Sequence, residues 1–266
     1  MTEQTMKNRG SLDDALALMR DLRARCDWDA AQTHQSLRPY LLEESHEVDD
    51  AIRTGNDAHL REELGDLLLQ VLFHSVVAEE RGAFDASDVA GGLVAKMRER
   101  HPHLYGGGAK AKWETLKAQA ARNSVADGLP IALPALHRSH RLQDRAAGMG
   151  FDWPDVRGPA AKVEEELREV MDELGDMPTS IDAHHAVAPD EGHQRIEAEL
   201  GDLLFAVVNL CRKAGVQSAL ALERANLKFV RRLDAVSALA RGRALALDGM
   251  SLVELDLLWD EVKAAE

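Results

Sequence analysis

Aromatic side chains make up only 4% of this 266-residue chain, and cysteine occurs twice, at Cys26 and Cys211. Two cysteines at unrelated places in helical patterns define no disulfide framework, so the fold must rest on its apolar core, with both thiols expected reduced. Basic residues are also in short supply: 32 against 46 acidic ones leave a net charge of −14. That balance argues against binding nucleic acid or an anionic membrane through bulk charge. No apolar run approaches the roughly 20 residues of a membrane helix, and MTEQTMKNRGSLDD lacks the apolar stretch of a signal peptide. The expectation is a cytoplasmic protein that engages neither membrane nor nucleic acid directly. Nucleophile and phosphate-loop signatures such as GxSxG and GxxxxGK[ST] are missing too. Any hydrolysis would then use water as the nucleophile.

No stretch alternates polar and apolar residues as a half-buried strand does, whereas Ala, Leu and Glu at helical spacing run through the whole chain, which reads as all-α. Ser11 with Asp14 reads as a capped start for a helix ending near Cys26; Asp27-Trp28-Asp29 then reads as a short loop. A helix from about Tyr40 to Arg53 is expected to turn Leu42, Val48 and Ile52 inward before Gly55 stops it. The next, roughly 58–80, places Leu60, Leu64, Leu67, Leu68, Val71 and Leu72 on one stripe. Asp85 or Ser87 opens a fourth helix that must break at His101-Pro102, after which HPHLYGGGAKAK reads as loop. Ser251 with Glu254 signals the start of the last helix.

Landmarks recur in the same order. Glu43-Glu44-x-x-Glu47 returns as Glu165-Glu166-x-x-Glu169 at an offset of 122, and Glu63-Leu-Gly-Asp66 as Glu199-Leu-Gly-Asp202 at 136. Lys96 and Arg100 are echoed by Lys228 and Arg232 at 132, and Trp113 by Trp259 at 146. The chain is therefore read as tandem duplicated helical bundles: an N-terminal domain over residues 1–122, a Ser/Asp/Gly/Pro linker over 123–134 and a C-terminal domain over 135–266. The longer second offset reflects 14 extra residues within 175–194, a Gly/Pro-containing segment expected to be a loop.

On a helix, i and i+4 lie about 40° apart and i and i+3 about 60°, so each EExxE motif shares one arc. Glutamates grouped this way repel one another, and facing a second acidic helix they call for a counter-charge. An all-carboxylate set suits a hard ion, Mg²⁺ with Mn²⁺ as a substitute, and such ions share their shell with water and phosphates. A di-iron bundle would want Glu-x-x-His twice; Glu43-x-x-His46 supplies one, but Arg168 stands at the second position. A Glu-rich helix can also be no more than a solvated face. Gly65 and Gly201, each costing roughly 0.5–1 kcal/mol inside a helix, suggest close approach of another helix or a ligand. Lys228 and Arg232, at i,i+4, are either a surface pair or phosphate-binding groups. Trp259 either packs or covers a base or sugar.

With these residues assembled, the chain resembles the MazG family of bacterial nucleoside triphosphate pyrophosphohydrolases along essentially its whole length. The resemblance rests on LEExxEV at 42–48, EELGDLLLQVLFH, RHPH, GFDW, VEEELREV, ELGDLLFAVVNL, ANLKFVRR and a terminal W-x-x-V-K. It implies a fold related to the all-α dUTPases and phosphoribosyl-ATP pyrophosphohydrolases, and Mg²⁺-dependent hydrolysis of nucleoside triphosphates to monophosphate and pyrophosphate, typically in homodimers. Carried onto this sequence, it makes Glu166, Glu169, Glu199 and Asp202 metal ligands, with Glu165 an extra ligand or base. It makes Lys228, Arg232, Trp259 and Arg195 nucleotide contacts, the last standing where a lysine is expected. Glu43, Glu44, Glu47, Glu63 and Asp66, with Lys96 and Arg100, form the matching N-terminal set, and the resemblance favours the C-terminal copy for catalysis. Broad base preference and nucleotide-pool housekeeping are the expected role. A reading from another class is a regulatory protein binding nucleotides or a protein partner, with one or both acid sites degenerate.

Overall fold

The computed structural model describes residues 10–107, 124–175 and 191–266. Trp113, the expected helix around it, and most of the 175–194 segment with His184-His185 lie outside these residues. The described residues are all-α, with no strand among them. They fall into two compact units, within Met1–Lys110 and within Ala111–Glu266.

In the first unit, α1 (Leu12–Arg25) begins with the expected reciprocal cap: Asp14 N–H donates to the Ser11 hydroxyl at 3.1 Å, and Ser11 N–H donates to the Asp14 carboxylate at 2.8 Å. Asp27–Ala31, read from sequence as loop, instead coils into a short helix, α2, steadied where the Gln32 amide donates to the Trp28 carbonyl at 3.0 Å. α3 (Arg38–Thr54) carries Pro39 in its first turn, where a missing N–H costs nothing, and ends at Gly55 with φ 68°. α4 (Asp57–Glu79) starts at once, with the Asn56 side chain accepting from the N–H groups of Ala58 and His59. A two-residue connection folds α3 and α4 into an antiparallel hairpin, which sets the middle of α3 against the first third of α4. α5 (Ala86–Glu99) opens on an Asp85/Asp88 capping box. The HPHLY segment, expected as loop, holds one helical turn, α6 (Pro102–Tyr105).

The core of this unit gathers Met19, Leu37, Leu72, Phe73, Val76 and Val77. The expected inward faces need correction: Leu42 and Ile52 are 61% and 60% exposed, and Leu64 and Val71 are also largely exposed. α1, with 14 residues, spans about 21 Å and packs on the C-terminal half of the 23-residue α4; further toward the start of α4, Leu60, Leu67 and Leu68 are half-buried and Leu64 is exposed.

The second unit contains α7 (Ala135–Gly148), α8 (Arg157–Leu174), α9 (Glu191–Lys213), α10 (Ser218–Gly242) and α11 (Leu252–Ala264). α11 opens with the expected Ser251/Glu254 capping box. Residues 124–134, read as linker, are pinned to α7: the buried Arg145 guanidinium donates to the carbonyls of Val125 and Asp127 at 2.7 and 2.8 Å. α8 packs along α9, and Val236, Ala240 and Leu258 form the α10–α11 core with Trp259 against it.

Candidate active site

The α3–α4 hairpin brings Glu44, Glu63 and Asp66 together, each offering a carboxylate oxygen within 4.8 Å of the others. Burial, the nearby Asp66 carboxylate and a hydrogen bond shared with Glu47 hold the Glu44 carboxyl above the ordinary carboxylate range, and Glu43 adds to the repulsion. His59, one turn before Glu63, places Nε2 at 2.9 Å from its Oε1. Lys96 lies exposed on α5 and Arg100 caps the end of that helix.

In the second unit the same construction on α8 and α9 gathers Glu166, Glu199 and Asp202, again with oxygens mutually within 4.8 Å. Glu166 is the buried member at 5% exposure, Glu199 is half-buried and Asp202 exposed. Glu169, the next turn along, sits outside this trio but hydrogen-bonds Glu166; desolvation, that bond and the Glu166 charge hold its carboxyl above the ordinary range. Glu165 faces elsewhere, toward Lys162, whose Nζ lies 2.9 Å from Glu165 Oε1 and 2.5 Å from Glu166 Oε1. Those two carboxylates raise the lysine pKa well above its usual value.

A cavity of about 830 Å³ opens on Glu166 and Asp202 of this second trio. Lys162, Glu166 and Asp202 line one part of it, and Leu142, Phe151, Trp153 and Phe205 supply apolar wall. Its polar wall groups are largely committed: the Arg212 guanidinium donates to Asn209 Oδ1 at 3.1 and 2.8 Å and pairs with Asp152. Lys213 Nζ donates to Asp152 at 3.1 Å and to the Trp153 carbonyl at 2.6 Å. Burial would raise the Asp152 pKa, but these two cations outweigh it and hold the carboxyl below its usual range. The Gln143 amide nitrogen donates to the Phe205 carbonyl at 2.8 Å.

The expected nucleotide-binding cations are placed differently. Lys228, Arg232 and Trp259 belong to α10 and α11 and are absent from the residues lining the cavity. The Arg232 guanidinium lies over the Trp259 ring at 5.8 Å and donates to the Glu266 carboxylate at 3.1 and 2.5 Å; Arg231 donates to the same carboxylate at 2.7 Å. Hydrogen bonds from both arginines push Glu266 down to about 2. Trp259 also stacks obliquely on Phe229 at 5.6 Å. Arg195 donates to Glu173 on α8 at 2.8 Å.

The close approach expected at the motif glycines is not made within the chain: a methyl group on Gly65 or Gly201 would meet nothing within 4 Å among the described residues. Sequence reasoning missed Lys162 and His59, each four residues before a cluster glutamate. A search for residues common to both copies passes over them, because Tyr40 stands where Lys162 would repeat and Arg195 where His59 would.

A helical hairpin that converges three carboxylates, built twice in one chain, defines an all-α protein with paired acid centres. A model of the MazG nucleotide pyrophosphohydrolase domain matches it over residues 32–105 and again over 159–237. The chain is 39% identical over 269 residues to a protein of Escherichia coli K12 named nucleoside triphosphate pyrophosphohydrolase, covering 96% of this chain and 98% of that one. It is 39% identical over 270 residues to the nucleoside triphosphate pyrophosphohydrolase/pyrophosphatase MazG of Thermotoga maritima, covering 98% and 99%. With a nucleoside triphosphate pyrophosphohydrolase of Mycolicibacterium smegmatis it shares 39% identity over 218 residues, 74% of this chain and 67% of that one. The chain belongs to the MazG family and is an enzyme of that family.

Proposed function

We propose that the chain hydrolyses nucleoside triphosphates to nucleoside monophosphate and pyrophosphate, with the second unit as the main catalytic centre. The observation that carries this reading is the cavity of about 830 Å³ opening on Glu166 and Asp202, a volume within the usual range for a small-molecule site. The donor set fits a hard divalent ion, because Glu166, Glu199 and Asp202 offer only carboxylate oxygens, all within 4.8 Å of one another. Mg²⁺ is the natural ion and Mn²⁺ its substitute; bound there, it would neutralise phosphate charge and acidify water.

The protein's own residues set the remainder. Glu169, tied to Glu166 and raised in pKa, would take up a proton from the attacking water; Glu165, paired with Lys162, becomes the alternative base only when that ion pair opens. The apolar wall of Leu142, Phe151, Trp153 and Phe205 would hold the nucleoside by contact. With Arg212, Asn209 Oδ1 and the Gln143 amide nitrogen already paired, Gln143 Oε1 is left as an acceptor without a partner among the described residues, in a mostly apolar wall with few polar groups by which to tell bases apart. That supports broad base preference and a housekeeping role in the cytoplasmic nucleotide pool.

Leu200 and Leu204 on α9, with Phe229, Val230 and Leu233 on α10, are well exposed. Apolar side chains exposed on two helices favour a partner, and a second copy is the proposed occupant. In that homodimer Arg195, Lys228, Arg232 and Trp259 would serve the nucleotide from α9, α10 and α11, with Glu266 released from Arg232 when phosphate arrives. No single helix among the described residues is long and apolar enough to cross a membrane. The first unit is proposed to act in folding and assembly. Comparing turnover of Glu169→Gln with Glu47→Gln tests the assignment: a large loss in the first alone is expected, and unchanged turnover in both would overturn it.

A further inference from the structure

The two acid clusters are alike in their carboxylates and unlike in one cation. In the second, Lys162 Nζ lies 2.5 Å from Glu166 Oε1 and 2.9 Å from Glu165 Oε1, and the Glu166 side chain is only 6% exposed. In the first, the position four residues before Glu44 is Tyr40, whose ring packs edge-on to Trp28 with centroids 6.2 Å apart. The cluster's imidazole neighbour, His59, touches Glu63.

A divalent ion entering the second cluster must take an oxygen of Glu166, a carboxylate already engaged by an ammonium. If the lysine leaves, its ion pair is lost from a largely buried carboxylate. If it stays, sharing the same carboxylate, ammonium and dication lie a few ångströms apart and repel. Either way the lysine opposes the ion. Among the described residues the first cluster has no such cation on Glu44; its acids, with oxygens mutually within 4.8 Å, repel one another, and a dication relieves that repulsion directly.

We propose that Lys162 is a built-in counter-cation of the second cluster, so that in the absence of nucleotide the first cluster binds divalent ions more tightly than the second. The inference rests on the proposed metal-dependent reading and concerns how that metal is admitted. The lysine would keep the catalytic acids neutralised and ordered without an ion, leaving the first cluster as the better standing metal site.

The test is Mn²⁺ binding to the full chain, without nucleotide, by electron paramagnetic resonance at pH 8, where imidazoles in general carry little charge. Glu63→Gln weakens the first cluster and leaves the second to be read. On that background Lys162→Met is expected to tighten Mn²⁺ binding about tenfold, the size of one partly buried charge interaction. The reciprocal Tyr40→Lys, on a Glu199→Gln background, is expected to weaken the first cluster by a similar factor and does not depend on Lys162→Met folding. Tighter binding in the first variant supports the proposal, and where Lys162→Met does not fold, weaker binding in the second supports it and unchanged binding there overturns it. Mn²⁺ binding that Lys162→Met leaves unchanged or weakens overturns it while the metal reading stands. A parent chain that binds no Mn²⁺ at all overturns both.

Discussion

Replacing Gly158 with alanine would put a methyl group where the Trp153 ring now lies. The added carbon would sit 2.4 Å from Cε3, 2.5 Å from Cδ2 and 2.9 Å from Cγ of the indole. Carbon atoms rest at about 3.5–4.0 Å, so the ring must move by more than about 1 Å. The Trp153 backbone cannot follow freely, because its carbonyl accepts from Lys213 Nζ at 2.6 Å and its N–H donates to Asp152 Oδ1 at 2.9 Å. Overpacking of this kind costs about 1–3 kcal/mol, and alanine recovers at most about 1 kcal/mol of helix propensity, less in a first turn. A net loss of about 1–2 kcal/mol predicts a fall in Tm of roughly 3–6 °C for a domain of this size. Since Trp153 lines the cavity, KM for nucleotide should rise several-fold, with a smaller change in kcat. Thermal unfolding and steady-state kinetics on the purified variant read both. A Tm equal to or above the parent's, with KM unchanged, would refute the packing of Trp153 on α8 and the use of this cavity.

Arg145→Leu removes two hydrogen bonds that hold residues 124–134 to α7; a destabilisation of about 1–3 kcal/mol is expected, with faster proteolysis in that segment, checked by thermal unfolding and limited digestion. In the first unit, burial and then the neighbouring His34 lower the His74 pKa below 6.5. The unfolded chain therefore binds a proton near pH 6.5 that the folded chain refuses. Stability from this group is complete above that pH and is lost as pH falls through the folded value. Thermal unfolding between pH 8 and 5 should show that loss, and His74→Gln should flatten it. His140 in the second unit shifts the same way, mainly through burial, so the first unit's transition must be followed separately, with Tyr40 and Trp28 as its reporters.

Local chemistry was the most readable part of the chain. The capping boxes at Ser11 and Ser251 need only residues three apart, and the structure has both. The acid trios follow from helix periodicity once a hairpin sets α3 against α4, so Glu44 with Asp66 and Glu166 with Asp202 were legible as clusters. What depends on which neighbour covers which turn was not. Leu42 and Ile52 have helical spacing, yet they lie on a face of α3 that stays 61% and 60% exposed at those positions. Lys162 was hidden by the repeat itself, because matching the two halves keeps what they share and its counterpart is Tyr40. Arg195 pairs with Glu173 on α8, a pairing set by how two helices align and invisible in the spacing of either.

The central claim is that the acid cluster of the second unit cleaves a nucleoside triphosphate to monophosphate and pyrophosphate. Incubating the full chain with ATP and Mg²⁺ and resolving products by ³¹P nuclear magnetic resonance, beside Glu166→Gln, tests it most directly. AMP and pyrophosphate in equal amounts from the parent, with little turnover by the variant, is the predicted result; ADP and phosphate, or a variant as active as the parent, would contradict it.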